Sequence, residues 1–275
     1  MGDYALDEQA GRADKGEWWG SGNAYEPYVG RWSRPVAREF LGWLAVPSGG
    51  RWLDVGCGTG ALAETILSVA APGEVVGIDP SPAFVAFARH RVTDPRVRFN
   101  VGDARVLQAD PATFDAVVSG LVLNFVPEPG EAVAEMARVA RPGGTVAAYV
   151  WDYAEGMQMM RHFWDAAVAL DPEAGELDEG TRFTLCRPEP LAALFRNSEL
   201  DNVEVRAIDV PTIFHDFDDY WSPFLGARAP APAYAMSLSQ ERRAALRERI
   251  RANLPTNAEG EHHLTARAWA VRGVR

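Results

Sequence analysis

From residue 51 to residue 150 the chain alternates short apolar runs with segments of helical periodicity, and this alternation most restricts how it can fold. The apolar runs have the length of strands, and the segments between them are long enough to cross back over a sheet. An alternation of this kind indicates an α/β fold built on a doubly wound parallel sheet. The predicted strands are residues 52–55, 74–79, 97–101, 116–119 and 145–150, and the predicted helices are residues 61–70, 82–92 and 130–140.

The sequence on either side of this region predicts further elements. A helix is expected over residues 33–44, with Ser33 as its cap and Pro35 in its first turn. After residue 150 the alternation is less regular. The elements predicted there are helices over residues 156–170 and 189–196, an acidic loop over residues 171–180, and strands over residues 203–210 and 264–271.

The last two predicted strands are separated by residues 211–260, which contain several prolines and a helical pattern. That helix is expected to open at Ser237, because Ser237-x-x-Gln240 has the pattern of a capping box. We expect these residues to form a helical insert, or cap, within one domain over residues 25–275. Residues 1–24 are rich in Gly, Asp and Ala without periodicity, which predicts a mobile lead-in.

The charge and hydropathy of the chain exclude several classes of partner. Lys and Arg number 27 against 38 Asp and Glu, which gives a formal net charge of −11. A chain with this balance lacks the positive field that nucleic acid or an anionic membrane surface requires. No apolar run approaches the roughly 20 residues of a membrane span, and residues 1–10 lack the basic and apolar parts of a signal peptide. We expect a cytoplasmic protein.

The cysteines and histidines do not indicate a metal site. The two cysteines, Cys57 and Cys186, form neither a ligand cluster nor a disulfide framework and are expected to be buried or inert thiols. His262 and His263 are adjacent, so on a strand they point to opposite faces and do not share one ion.

The most informative stretch for function is Leu53-Asp-Val-Gly-Cys-Gly-Thr-Gly60. It lies where the first strand turns into the first helix of the alternation, which is where open α/β sheets bind ligands. Its spacing is Gly-x-Gly-x-Gly, whereas a dinucleotide loop has Gly-x-Gly-x-x-Gly. A carboxylate at Asp54 repels a pyrophosphate and suits a ligand with an ammonium or sulfonium group. A helix-dipole role for Asp54 is the structural alternative.

Two further acidic residues follow the second and third predicted strands. Asp79 ends the second strand, where a carboxylate can accept from both hydroxyls of a ribose. Asp103 follows the third strand and can accept from an exocyclic amine. Each alone has a loop or cap role as its alternative, but three acids at three successive strand ends line one crevice.

Four segments together resemble the successive motifs of class I S-adenosylmethionine-dependent methyltransferases. Within that class, the chain resembles the small-molecule branch that includes the ubiquinone and menaquinone biosynthesis enzymes. The resemblance implies a Rossmann-like seven-stranded sheet with an antiparallel last strand, and S-adenosylmethionine as cofactor. The segments are Leu53-Asp-Val-Gly-Cys-Gly-Thr-Gly60, Gly77-Ile-Asp-Pro-Ser81, Gly102-Asp-Ala104 and Arg138-Val-Ala-Arg-Pro-Gly-Gly144.

The resemblance also implies a role for each matching residue. Asp54 and the glycine backbone would hold the methionine part, Asp79 the ribose, and Asp103 with Ala104 the adenine. Tyr25-Glu-Pro-Tyr-Val-Gly-Arg-Trp32 resembles a lid over the cofactor, with plain aromatic packing as its alternative. The expected cofactor-binding residues are Tyr28, Arg31, Trp32, Asp54, Gly56, Cys57, Gly58, Gly60, Asp79, Pro80, Asp103, Ala104, Gly120 and Leu121.

The acceptor of the methyl group is expected to be a small, partly apolar molecule, because aromatic residues are dense after residue 150. The sulfonium already activates the methyl group, so the enzyme mainly has to align the acceptor and exclude water. A general base is needed only for a hydroxyl or a carbon acid. The candidates for catalysis are Asn124, Asp152, His162 and His215, each with a structural role as its alternative.

An oxidoreductase and a non-catalytic binding module are the two alternatives to a methyltransferase. A dinucleotide-dependent oxidoreductase would require the longer glycine spacing and a hydride-transfer residue set, neither of which is present. A non-catalytic module that binds the cofactor remains open on sequence grounds, because methyl transfer has no obligatory nucleophile to identify.

Overall fold

The computed structural model describes residues 30–226 and 229–275. The strands are β1 (Arg51–Val55), β2 (Glu74–Asp79), β3 (Val97–Val101), β4 (Phe114–Gly120), β5 (Ala140–Trp151), β6 (Asp201–Phe214) and β7 (His262–Val274). The α-helices are α1 (Arg31–Leu44), α2 (Ala61–Val69), α3 (Pro82–Arg91), α4 (Pro129–Val139), α5 (Gln158–Leu170), α6 (Glu179–Arg182), α7 (Pro188–Arg196), α8 (Phe217–Trp221), α9 (Pro230–Ser237) and α10 (Gln240–Asn253). Short 3-10 helices cover Leu123–Phe125, Pro172–Glu176 and Ser222–Leu225.

The seven strands form one sheet in the order β3-β2-β1-β4-β5-β7-β6. The first five strands in this order, β3, β2, β1, β4 and β5, pair in parallel. Strand β7 runs antiparallel to both of its neighbours, β5 and β6. Right-handed crossovers between parallel strands place helices on both faces and bring the carboxyl ends of the parallel strands to one edge. The predicted α/β sheet with an antiparallel last strand is confirmed.

Helix α1 covers one face of this sheet, and the glycine-loop aspartate points to the same face. The ring of Phe40 packs 4.8 Å from that of Tyr149 in β5. Asp54 is in register with Val118, and Val118 is in register with Ala147, two residues before Tyr149. Because paired residues share a face and strand side chains alternate, Asp54 and Tyr149 point to the same side.

The start of α1 differs from the prediction. The helix begins at Arg31 with Gly30 as its N-cap, and no side chain caps it. Ser33 is buried in the first turn and is therefore not the cap. Pro35 lies inside the helix rather than in the first turn, where its missing N–H removes one backbone hydrogen bond.

The start of α10 also differs from the prediction. Ser239 caps this helix, and its side chain accepts a hydrogen bond from the backbone N–H of Arg242. Ser237 instead ends α9, where its hydroxyl donates to the carbonyl of Tyr234. The prediction of Ser237 as the cap was wrong because two serines, Ser237 and Ser239, precede the helix. Only Ser239 lies directly before the first helical residue, Gln240.

Strand β6 extends beyond its predicted end, so the insert is shorter than residues 211–260. Alternate burial continues through Thr212 to Phe214, while β7 already begins at His262. Pro211 is tolerated inside this strand because β6 lies at the edge of the sheet. The helical insert therefore covers residues 215–261, between the end of β6 and the start of β7. The predicted lead-in, residues 1–24, and Tyr28 lie outside the described residues.

Candidate functional site

The glycine loop joins β1 to α2 with an unusual backbone. Gly56, Gly58 and Gly60 have φ angles of 75°, 51° and 88°, all in the left-handed region that favours glycine. A Cβ on Gly56 would lie 2.5 Å from a methyl carbon of Val122, whereas a Cβ on Gly58 would meet nothing within 4 Å. The loop is therefore packed closely at its first glycine and open at its second.

Asp54 is a buried carboxyl group directly before this loop. Its side chain is 1% exposed, and neither carboxylate oxygen makes a hydrogen bond of standard geometry. Burial raises the pKa of Asp54 to about 7; the backbone N–H of Ala63 lowers it in part, and the charge of Asp79 raises it further. A buried carboxylate without a partner is unfavourable, so a cationic ligand group here would be stabilising.

Asp79 connects the end of β2 to the glycine loop. One of its carboxylate oxygens accepts a 2.9 Å hydrogen bond from the backbone N–H of Gly58, and the other accepts one of 2.9 Å from Ser81. Burial raises its pKa, and these two hydrogen bonds oppose the shift. Each oxygen has a second lone pair with which it can accept from a ligand hydroxyl. Pro80, between the two partners, is exposed.

The loop backbone is tied to β2 at a second point. The N–H groups of Gly56 and Cys57 donate to the carbonyl of Ile78 at 2.7 and 3.0 Å. The Cys57 thiol is buried, which raises its pKa well above the usual value. Cys186 is also buried, as predicted.

Asp103 lies after β3 as predicted, but its carboxylate already has partners. It pairs with the Arg105 guanidinium at 2.7 Å and accepts from the Arg105 backbone N–H at 2.9 Å. These contacts lower its pKa. Its side chain is 47% exposed, and the neighbouring Ala104 is half-buried. Arg105 is not among the predicted site residues, although an aspartate side chain commonly accepts from the backbone N–H two residues later, as Asp103 does here.

The end of β4 forms a second wall of the crevice. A Cβ on Gly120 would lie 2.6 Å from the Tyr149 hydroxyl, so only glycine fits there. Leu121 has a φ angle of 62°, which is strained for a leucine, and its N–H donates to the Tyr149 carbonyl at 2.7 Å. Ser119 is buried and donates to the Val55 carbonyl at 2.8 Å. Strained backbone of this kind is concentrated at functional sites.

Arg31 and Trp32, predicted as cofactor contacts, pack against β6 and the helical insert. The Arg31 guanidinium pairs with Asp219 at 3.0 Å and lies 4.6 Å above the ring of Phe214. The Trp32 ring contacts that of Phe214 edge-on at 5.4 Å. These contacts join the start of α1 to the helical insert, on the face to which Asp54 points.

The four candidates for catalysis lie in different environments. Asn124 follows β4, and its amide nitrogen and oxygen are both buried without a hydrogen-bond partner. Asp152 follows β5, where one carboxylate oxygen accepts from the backbone N–H of Glu155. His162 lies in α5, where burial lowers its pKa. His215 is exposed, and its backbone N–H donates to Asp219. The structure thus places Asn124 and Asp152 at strand ends.

Residues 30–226 and 229–275 contain no group of three His, Cys, Asp or Glu side chains placed to hold a metal ion. His262 is buried and His263 exposed, so the adjacent pair alternates between the faces of β7 as predicted. No helix within these ranges has the length and apolarity to cross a membrane.

The site fits the cofactor that the sequence resemblance implies. Asp54 offers a buried carboxylate without a cationic partner among the described residues, and a Cβ on Gly58 of the adjoining loop would meet nothing within 4 Å. Asp79 stands at the next strand end with capacity to accept from hydroxyl groups. This is the set of charges and spaces that an ammonium- and ribose-containing ligand requires.

Comparison with known proteins agrees with this geometry. A methyltransferase domain model matches residues 53–148. The demethylmenaquinone methyltransferase of Roseiflexus castenholzii is 31% identical over 60% of this chain and 73% of its own length. The ubiquinone biosynthesis O-methyltransferase of Hahella chejuensis is 28% identical over 73% of this chain and 82% of its own.

Solved structures show the same fold at lower identity. The putative methyltransferase in complex with the Haloferax volcanii Trm112 activator aligns with a TM-score of 0.58 and 22% identity, over 95% of this chain and 98% of its own. A phosphoethanolamine N-methyltransferase of Haemonchus contortus, solved with S-adenosylhomocysteine, aligns at 0.57 and 19% identity, over 92% of this chain and 56% of its own. The methyltransferase domain match and the relative at 31% identity favour methyl transfer over the dinucleotide alternative. The chain belongs to the S-adenosylmethionine-dependent methyltransferases.

Proposed function

We propose that this enzyme methylates a ring-containing precursor of quinone type, held beside Asn124 after the carboxyl end of β4. The curated relatives named above are ubiquinone and demethylmenaquinone methyltransferases, which supports this acceptor class. The net charge of −11 argues against nucleic acid as the acceptor.

Within this proposal the cofactor side uses Asp54 and Asp79. When bound, S-adenosylmethionine supplies a methyl group that its sulfonium already activates. The buried Asp54 carboxylate stabilises the cationic end of the ligand, and its unpartnered state is the single observation that favours this assignment most. Asp79 accepts from the ribose hydroxyls while the N–H groups of Gly58 and Ser81 hold its orientation.

On the acceptor side the proposal assigns Asn124 as the positioning residue. Its amide presents an N–H donor pair and a carbonyl acceptor, and both are buried without a partner. An acceptor hydroxyl can donate to this carbonyl, which fixes the direction of its lone pair. The rings of Phe125 and Phe183 meet edge-on at 5.3 Å next to Asn124 and give the apolar surface that a ring-shaped acceptor needs.

The proposal is tested by turnover against an acceptor panel. The panel contains catechols and hydroxylated quinone precursors, simple amines, and a short RNA, with formation of S-adenosylhomocysteine as the readout. Methylation of the ring compounds alone is the expected result. Turnover of amines in preference to phenols would contradict the proposed acceptor, and no turnover of any compound would favour the non-catalytic alternative.

A further inference from the structure

A second cleft opens at the carboxyl end of β5, and none of the expected cofactor-binding residues lines it. Its volume is about 380 Å³, within the range of small-molecule sites. The side chains that matter for its chemistry are Asp152, Glu155, Arg161, Asp178, Arg187 and Trp269. We call it the β5 cleft.

The β5 cleft lies on the face of the sheet opposite the glycine loop. Trp269 of β7, which lines it, is in register with Val150 of β5, and paired residues share a face. Side chains alternate along β5, so Val150 points away from the face of Tyr149. Asp54 points to the Tyr149 face, as the register of β1, β4 and β5 requires. The cleft is therefore separate from the crevice that contains Asp54.

One wall of the cleft contains a buried acidic group without a cationic partner. Asp152 is 3% exposed and forms no ion pair with any residue in the described ranges. Arg267 acts on it only at longer range and is itself paired with Asp209 at 2.8 Å. Glu155, on the same wall, is exposed and also without an ion pair among the described residues. Burying a carboxylate without a counter-charge is unfavourable, so this wall favours a cation.

The lining of the cleft also includes a free guanidinium. Arg187 precedes α7, is exposed, and forms no ion pair with another described residue. The remaining charges in the cleft neutralise each other, because Asp178 pairs with Arg161 and also accepts from the backbone N–H of Gly180. The lining thus contains an acidic group, Asp152, and a basic group, Arg187, that form no ion pair with each other.

Trp269 adds an aromatic surface to the lining of the cleft. Its indole is half-buried in the cleft, and the guanidinium of Arg267 lies 5.8 Å from its ring. An aromatic side chain beside charged groups is a surface on which a ligand ring can pack.

We propose that the β5 cleft binds a small zwitterion with an apolar or aromatic part, whose ammonium group pairs with Asp152 and whose carboxylate pairs with Arg187. The ligand is of the amino-acid class. Its binding site differs from both the cofactor crevice and the proposed acceptor position beside Asn124.

Titration calorimetry on the full chain tests the proposal with L-phenylalanine as the probe. Phenethylamine lacks the carboxylate and 3-phenylpropionate lacks the ammonium, so they are matched single-charge compounds. L-phenylalanine is expected to bind at least about tenfold more tightly than either, since each lost charge removes a charge-assisted hydrogen bond. Absence of binding by L-phenylalanine at millimolar concentration, or equal affinity for all three, would overturn the proposal.

Two variants assign the charges. Asp152→Asn keeps an oxygen that accepts from the Glu155 N–H, so the fold is preserved, and it should weaken L-phenylalanine and phenethylamine alike by about tenfold. Arg187→Gln should weaken L-phenylalanine and leave phenethylamine unchanged. Arg196→Gln, an exposed change at the other end of α7, is the control and should alter neither. Unchanged affinities in both test variants would place the ligand elsewhere. These titrations require no methyl transfer, so their outcome is independent of the proposed acceptor.

Discussion

The backbone N–H of Gly58 donates a 2.9 Å hydrogen bond to the carboxylate of Asp79, and this bond holds the glycine loop against the end of β2. One residue therefore has two roles, since it orders the loop and offers its remaining lone pairs to a ligand. The ligand role is expected to have the larger effect, because the loop is also tied to the Ile78 carbonyl by two other N–H groups.

Asp79→Ala is expected to weaken S-adenosylhomocysteine binding by roughly 1.5–3 kcal/mol, the scale of hydrogen bonds to a charged group. The folded state should persist, because the residue stands at a strand end. Calorimetric dissociation constants measure the effect, with Asp110→Ala, an exposed loop carboxyl, as the control. A dissociation constant equal to that of the unmodified enzyme would place the ribose elsewhere.

Asp54 predicts a pH dependence of stability. The pKa of Asp54 is about 7 in the folded protein, against an ordinary value of 3.8, so the folded state binds more protons than the unfolded state between these two pH values. The stabilisation is complete below pH 3.8 and is lost as pH rises towards 7. Urea unfolding between pH 4 and 8 should therefore show a falling free energy of unfolding relative to Asp54→Asn. Parallel profiles for the two proteins would contradict the assignment.

The same group predicts proton release on ligand binding. A cationic ligand favours ionised Asp54, so binding near pH 6 should release a proton and should tighten as pH rises through 7. Calorimetry in two buffers of different ionisation enthalpy measures the protons released. Asp54→Asn should abolish most of this release, and a release that is unchanged in the variant would assign it to another group.

Gly56 and Gly58 form a matched pair for the steric prediction. Alanine at either position must adopt a left-handed backbone, which costs about 1–2 kcal/mol. Gly56→Ala also drives its Cβ into Val122, which should add roughly 1–3 kcal/mol of destabilisation, whereas Gly58→Ala has no neighbour within 4 Å. Chemical denaturation of both variants separates the two terms, and equal losses of stability would show that the Val122 contact relaxes freely.

Asn124→Leu is expected to lower kcat/KM for the acceptor by about 10- to 100-fold while the affinity for S-adenosylhomocysteine stays unchanged. The substitution removes the amide that is proposed to hold the acceptor. It breaks no hydrogen bond within the protein, because this amide has no partner among the described residues. Arg196→Gln, an exposed change in α7, is the control. A loss of cofactor affinity equal to the loss of turnover would assign Asn124 to the cofactor side.

Much of this site could be predicted from sequence because its determinants are local. The position of Asp54, the glycine spacing and the end of β2 all follow from one strand–turn–helix segment. Asp103 was placed correctly, but its pairing with Arg105 depends on side-chain rotamers that the pattern does not specify. Asp152 and Arg187 both line the β5 cleft but are distant in sequence, so periodicity alone does not predict that they share a site.

The start of α1 is also held by a contact between residues that are distant in sequence. Arg31 and Asp219 are 188 positions apart, yet their side chains meet at 3.0 Å and join α1 to the helical insert. Both are about one-third exposed, so solvent screening limits the pair to roughly 0.5–1 kcal/mol of stability.

The larger effect of the Arg31–Asp219 pair should be on function, because the pair fixes the position of the helical insert beside the Asp54 face. In a double-mutant cycle, Arg31→Gln and Asp219→Asn should each raise KM for the acceptor several-fold, and the double variant should be no worse than either single one. Hydrogen exchange over residues 216–226 should quicken in all three variants. Additive effects on KM, with exchange unchanged, would show that the ion pair is only a surface contact. Arg247→Gln controls for a general loss of charge, because it breaks the ion pair between Arg247 of α10 and Asp218, the neighbour of Asp219 in α8.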